Sequence, residues 1–176
     1  MPDIVLVYDV TSQRWHERKS YAVLNGTTSE FRWRVNSVIK AYGKILVGDA
    51  IDGRIGEMSL DIEDEYGNNI IREISCQPLS NLGNNFSIPS MELTVESGVG
   101  NSQDADPKIS MDISRDGKTW SDKQVREIGK IGEYDKRVQW RRIGKIPRFC
   151  TIRFTMSDMV KPVIIKLEAN IEAGAQ

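Results

Sequence analysis

The sequence predicts an all-β protein, and three observations carry that reading. Apolar residues recur with the two-residue period of strands rather than with the period of a helix. The apolar runs are short and separated by turn pairs such as Asp52-Gly53, Tyr66-Gly67 and Asp116-Gly117. The front of the chain also carries a weak internal repeat, each copy of which reads as strand, tight turn, strand.

The repeat comes first in the chain. VLVYDVTSQRWHE at 5–17 lies over ILVGDAIDGRIGE at 45–57, with Leu6, Val7, Asp9, Arg14 and Glu17 matched by Leu46, Val47, Asp49, Arg54 and Glu57. A period of about 40 residues built from antiparallel strands is that of a β-propeller blade. Residues 1–68 are therefore predicted as a propeller-like β-hairpin region of incomplete blades, since a closed propeller needs about four or more. Between the copies, Phe31, Trp33 and Val35 alternate with arginines ahead of a Tyr42-Gly43 turn. That predicts a strand, although Phe31, Val35, Val38, Ile39 and Tyr42 also fit helical spacing. The acidic run Glu63-Asp64-Glu65 lacks the ligand spacing of a calcium loop and reads as a solvated linker.

Residues 69–176 are predicted as a β-sandwich domain. Met91, Leu93 and Val95 alternate with Glu92, Thr94 and Glu96; Ile109, Met111 and Ile113 alternate with Ser110, Asp112 and Ser114. Ile152, Phe154 and Met156 follow the same rule, as do Val163, Ile165, Leu167, Ala169 and Ile171. Such alternation buries one face of each strand and wets the other. The predicted core gathers Leu93, Ile113, Trp140, Phe154, Ile165 and Leu167.

Composition narrows the function. Lys and Arg total 24 against 25 Asp and Glu, which excludes a polycation, and 39% hydrophobic residues exclude a disordered chain. No apolar run approaches the roughly 18 residues that span a bilayer. Met1-Pro2-Asp3 lacks the basic start of a signal peptide. Cys76 and Cys150 belong to no metal pattern and read as free thiols rather than a bridge. His16 is the one histidine, which starves hydrolytic triads and zinc sites of their usual residue. No enzyme, no metal and no cofactor are expected.

Two motifs remain. Ser114-Arg115-Asp116-Gly117-Lys118-Thr119-Trp120 resembles an Asp-box hairpin, a structural device in which Asp and Thr bond the turn backbone. The stretch YDKRVQWRRIGKIPR at 134–148 holds Lys136, Arg137, Arg141, Arg142, Lys145 and Arg148. On a regular strand Lys136, Val138, Trp140 and Arg142 share one face, and Arg137, Gln139 and Arg141 the other. Charge on both faces requires partners: acids on neighbouring strands such as Glu92, Glu96 and Asp112, another protein, or phosphate. Protein contact is favoured over DNA because the rest of the chain is not basic.

In this order, VLVYD (5–9), Trp15, VGDAIDGRIGEMSLDI (47–62), LTVESGVG (93–100), the Asp116-Gly117 turn and YDKRVQWRRIGKI (134–146) resemble the C-terminal part of the packaged-DNA stabilisation, or tail-hub, proteins of short-tailed bacteriophages. The resemblance implies a non-enzymatic virion protein of the tail, assembled in the host bacterial cytoplasm. It implies a ring former, six-fold in the family, that closes the portal channel after DNA packaging. Portal adaptor, tail needle and tailspike are the implied partners, with no membrane. The family's long N-terminal portion has no counterpart here, so the chain is expected to be a fragment or a shortened relative. A glycan-binding β-sandwich is the alternative, and its observable is exposed aromatics on one sheet face, for example Trp120 and Trp140.

Overall fold

The structure is a computed structural model and describes residues 4–102 and 104–174. Met1-Pro2-Asp3, read above for a leader, lie outside the described residues. The described chain is strand and turn throughout, and it divides into two compact units that meet in sequence between Ile70 and Ile71.

The first unit contains two three-stranded antiparallel sheets and a small hairpin. One sheet runs β1 (Val5–Asp9), β2 (Arg14–Leu24), β3 (Thr27–Arg32); the other runs β4 (Val35–Ala41), β5 (Lys44–Asp49), β6 (Ile55–Glu57). The hairpin pairs β7 (Asp64–Glu65) with β8 (Asn68–Asn69). The sequence repeat has a physical counterpart in its turns. Asp9 Oδ1 accepts from Thr11 N at 2.9 Å, and forty residues later Asp49 Oδ1 accepts from Ile51 N at 2.8 Å. Each carboxylate thus supplies the side-chain half of a turn two residues long. The hairpin pairs Asn25-Gly26, Tyr42-Gly43 and Tyr66-Gly67 all have positive φ, which suits the right-handed twist of two-residue hairpins.

Two expectations are corrected in this unit. The strand read through Phe31, Trp33 and Val35 breaks at Trp33-Arg34, because Arg34 turns inward and its N–H donates to Ser20 Oγ at 3.0 Å. The Glu63–Glu65 run is not a solvated linker: all three residues are half-buried and Asp64 and Glu65 form β7.

The second unit is a sandwich of two sheets. One has the order β14 (Val138–Ile146), β11 (Phe86–Val95), β16 (Ile164–Ala173). The other has the order β10 (Leu79–Ser80), β15 (Phe149–Met156), β12 (Lys108–Ser114), β13 (Gln124–Glu127), with β9 (Arg72–Ser75) also on β15. Phe86, Ile88, Met91 and Leu93 of β11 meet Met111, Ile113, Ile152 and Phe154 of the facing sheet in one apolar cluster. Trp140 is fully buried there, its ring 5.5 Å from that of Phe154. Each such side chain contributes about 1.5–3 kcal/mol by leaving water.

Ile165 is the exception to the predicted core. Thr94 pairs with Lys166 and Val95 with Ile164, so β16 holds an extra residue at Ile165. The bulge sets Ile164, itself 37% exposed, opposite Val95 and leaves Ile165 63% exposed. The Asp116-Gly117 pair is likewise not a two-residue hairpin: Met111 pairs with Gln124, and residues 115–123 form a wider loop.

Candidate functional site

The basic stretch of β14 separates into two groups. Arg137 grips Glu92 of β11 through two bonds, Nε to Oε1 at 2.9 Å and Nη2 to Oε2 at 2.5 Å, and Gln139 adds a third donor at 2.8 Å. These donors pull the Glu92 carboxyl down to about 2. Lys136 meets Glu127 at 3.1 Å and Glu133 at 3.5 Å. Both cations are spent inside the unit, and of the acids read from sequence as partners Glu92 serves, while Asp112 belongs to Arg153 instead.

Arg141, Arg142, Lys145 and Arg148 form the second group, all exposed. Arg141 donates to Gln139 Oε1 at 3.2 Å, a neutral acceptor. The facing predicted for Arg142 is overturned. It adopts a φ of +58° where the β11–β14 register slips between Ile88 and Ser90, so it points outward beside Arg141 while Ile143 takes the inward place. A left-handed conformation costs a non-glycine residue roughly 1–2 kcal/mol. The bulge therefore gathers Arg141 and Arg142 on the wet side, which a regular strand would have kept apart.

The loop carrying the Asp-box resemblance is structural. Asp116 accepts from Lys118 N at 2.8 Å, Thr119 N at 2.7 Å and Thr119 Oγ1 at 2.6 Å, and these donors hold its carboxyl well below the usual range. Trp120 lies under the Arg153 guanidinium at 3.9 Å, and Trp140 is buried with its Nε1 donating to Gln124 O at 3.0 Å. Neither of these two rings stands open on a sheet face, as the glycan-binding alternative had them.

Sequence reasoning missed a charged cluster in the first unit. Arg34 is 7% exposed and pairs with the buried Asp49 and, at 3.2 Å, with Asp52. Arg54 meets Asp52 at 2.7 Å, and the Tyr66 ring lies 4.1 Å from the Arg54 guanidinium and 4.8 Å from that of Arg34. Burial pushes the Glu65 carboxyl up, against a hydrogen bond from Ser20. The signal was present in the repeat, where Asp49 and Arg54 recur as identities with Asp9 and Arg14. Nothing local says that only the second copy is buried.

Among the described residues no three His, Cys, Asp or Glu side chains converge as a metal site, and no helix is long and apolar enough to cross a membrane. Cys76 and Cys150 are free thiols, Cys150 fully buried and pushed up to about 11 by burial.

Residues 71–172 match the family model described as the β-sandwich of bacteriophage P22 Gp10. The chain is also similar to the tail hub protein gp10 of Salmonella phage P22, at 28% identity over 148 residues. That alignment takes in 84% of this chain and 30% of the relative, so the chain spans less than a third of the protein it matches. The family-model match falls on the second unit, whose two sheets pack as a sandwich around Trp140 and which carries the basic strand. The chain belongs to the P22 Gp10 β-sandwich family of tail-hub proteins.

Proposed function

We propose that this chain is a non-enzymatic structural component of a phage tail hub, working through contacts with other virion proteins. The observation that carries the reading is the family sandwich over residues 71–172, with the relative's name as a tail hub protein. In this reading the protein resides in the virion tail after assembly in the host cytoplasm. It self-associates in a ring, helps close the portal channel after DNA packaging, and joins the portal adaptor, needle and tailspike.

Two structural features support an assembled part. Among the described residues of the first unit Val47 is the one large apolar residue that is buried, while Leu6, Tyr8, Trp15, Val38, Ile39 and Ile55 stay exposed. A unit with so little core of its own gains by being covered, as an incomplete set of propeller-like blades at 1–68 would be. The exposed Arg141, Arg142, Lys145 and Arg148 form the contact surface of the 69–176 domain, and acidic protein surface is the favoured partner. Lys136 and Arg137, paired with Glu127 and Glu92, complete the basic stretch beside that surface.

The test is a charge reversal, Arg141→Glu with Arg142→Glu, in the phage that encodes the chain. The variant is expected to be lost from purified particles while the isolated chain keeps its melting temperature. Normal incorporation would overturn the contact surface, and particles that assemble and retain DNA without the chain would overturn the hub reading. Contact with DNA would instead appear as binding that weakens with salt at a log–log slope of about 0.9 per phosphate.

A further inference from the structure

The two outer strands of the β14-β11-β16 sheet differ in how they end. Carbonyls of β14 are capped by side chains: Arg126 Nε donates to Gln139 O at 2.9 Å and Arg115 Nη2 to Ile143 O at 3.3 Å. The bulge at Arg142 breaks its ladder further. Capped and kinked edges resist pairing. β16 is more open beyond its bulge at Ile165. Among the described residues it pairs with β11 alone, and its sequence IIKLEANIEA has neither proline nor glycine.

The inward side of that edge is also open. Ile171 is 53% exposed although it shares the inner face of β16 with Ala169 and Ala173. Beside it lies an apolar hollow of about 300 Å³ lined by Leu79, Phe86, Ile171 and Ala173. A long, unpaired strand with apolar residues on its inner face is a template for another strand.

We propose that β16 pairs with the β16 of a second copy of this chain, antiparallel about a two-fold axis at Ala169. The charges on the wet face select the register. Centring on Glu168 sets that carboxylate against its own copy, and centring on Asn170 sets Glu168 against Glu172 twice; like charges directly opposite are destabilising. Centring on Ala169 places Lys166 opposite Glu172 of the second copy, twice by symmetry, and Glu168 opposite Asn170. On the inner face the same register sets Leu167 against Ile171 and Ala169 against itself, so large side chains meet beside small ones. It uses residues 166–172, the part of β16 clear of the bulge at Ile165. The contact joins two three-stranded sheets into one of six strands. It describes the free chain, and its failure would leave the tail-hub reading untouched.

Sedimentation equilibrium of the full chain over a wide concentration range tests the proposal. Dimers are expected, with Lys166→Glu weakening association roughly tenfold or more and Lys166→Glu combined with Glu172→Lys restoring it. Mild oxidation of Ala169→Cys should give a disulfide-linked dimer, because directly opposed residues have Cα atoms about 4.5–5.5 Å apart. Ile165→Cys, which lies far from its own copy in this register, should not link above the background of the parent chain. A monomer at every concentration overturns the proposal. So does an oligomer indifferent to Lys166→Glu, or equal linking by the two cysteine variants.

Discussion

Replacing Asp49 by Ala should unfold the first unit far more readily than its repeat counterpart suggests. The Asp49 side chain is fully buried and bonds the Arg34 guanidinium, which is itself 7% exposed. Removing the carboxylate leaves the buried Arg34 with Asp52 at 3.2 Å and a charge interaction with Glu65, and it also removes the acceptor of the Ile51 N–H. Breaking a buried pair from one side costs about 3–5 kcal/mol, because the surviving charge stays desolvated. Replacing both partners together, as in Arg34→Met with Asp49→Leu, should cost well under the sum of the single changes, since no charge is then stranded. Asp9→Ala makes the same change in the first copy of the repeat. Asp9 is exposed and bonds Thr11 N and Ser12 Oγ, so its loss should be clearly smaller. Urea titration followed by hydrogen exchange of peptides from residues 4–70 reads the first unit directly. Equal losses for Asp9→Ala and Asp49→Ala, or strictly additive losses for Arg34 and Asp49, would refute the argument.

Three further outcomes are expected. Trp140→Ala should destabilise the sandwich by about 3–5 kcal/mol, with the cavity between β11 and β15 adding to lost burial and to the stranded Gln124 carbonyl; calorimetry of the second unit checks it. The Glu92 carboxyl is lowered from 4.5 to about 2 in the folded chain, so its contribution is complete above pH 4.5 and lost as pH falls toward 2. Melting temperatures of the parent and Glu92→Gln should therefore differ at pH 6 and converge near pH 2, and a constant gap would contradict the assignment. Cys150, buried and raised to about 11, should resist a thiol reagent at pH 8 until the sandwich unfolds. Labelling at the rate of an exposed thiol would show that the core opens locally.

Much of the architecture was written in local sequence, because strand alternation and turn chemistry are local properties. The runs at Met91–Val95, Ile109–Ile113 and Ile152–Met156 bury the faces that their alternation marks, with Val95 only partly covered. The Tyr42-Gly43 and Tyr66-Gly67 pairs make the tight turns their residues favour. The repeat of Asp9 in Asp49 survives as the same side-chain bond two residues on. Even the pairing of Arg137 with Glu92 was within reach, since a cation on a strand with acids on neighbouring strands has few better places to go.

Tertiary structure decided which charges are free and which residues cross from one face to the other. A bulge forms where the partner strand slips in register, and that depends on residues tens of positions away. The slip between β11 and β16 set Ile164 rather than Ile165 opposite Val95, and the slip between β11 and β14 turned Arg142 out beside Arg141. Asp49 is buried because it meets the inward Arg34, whereas Asp9 stays exposed and bonds its own turn. Alternation tells which side chains share a face of one strand; only the neighbouring strand tells where that alternation is interrupted.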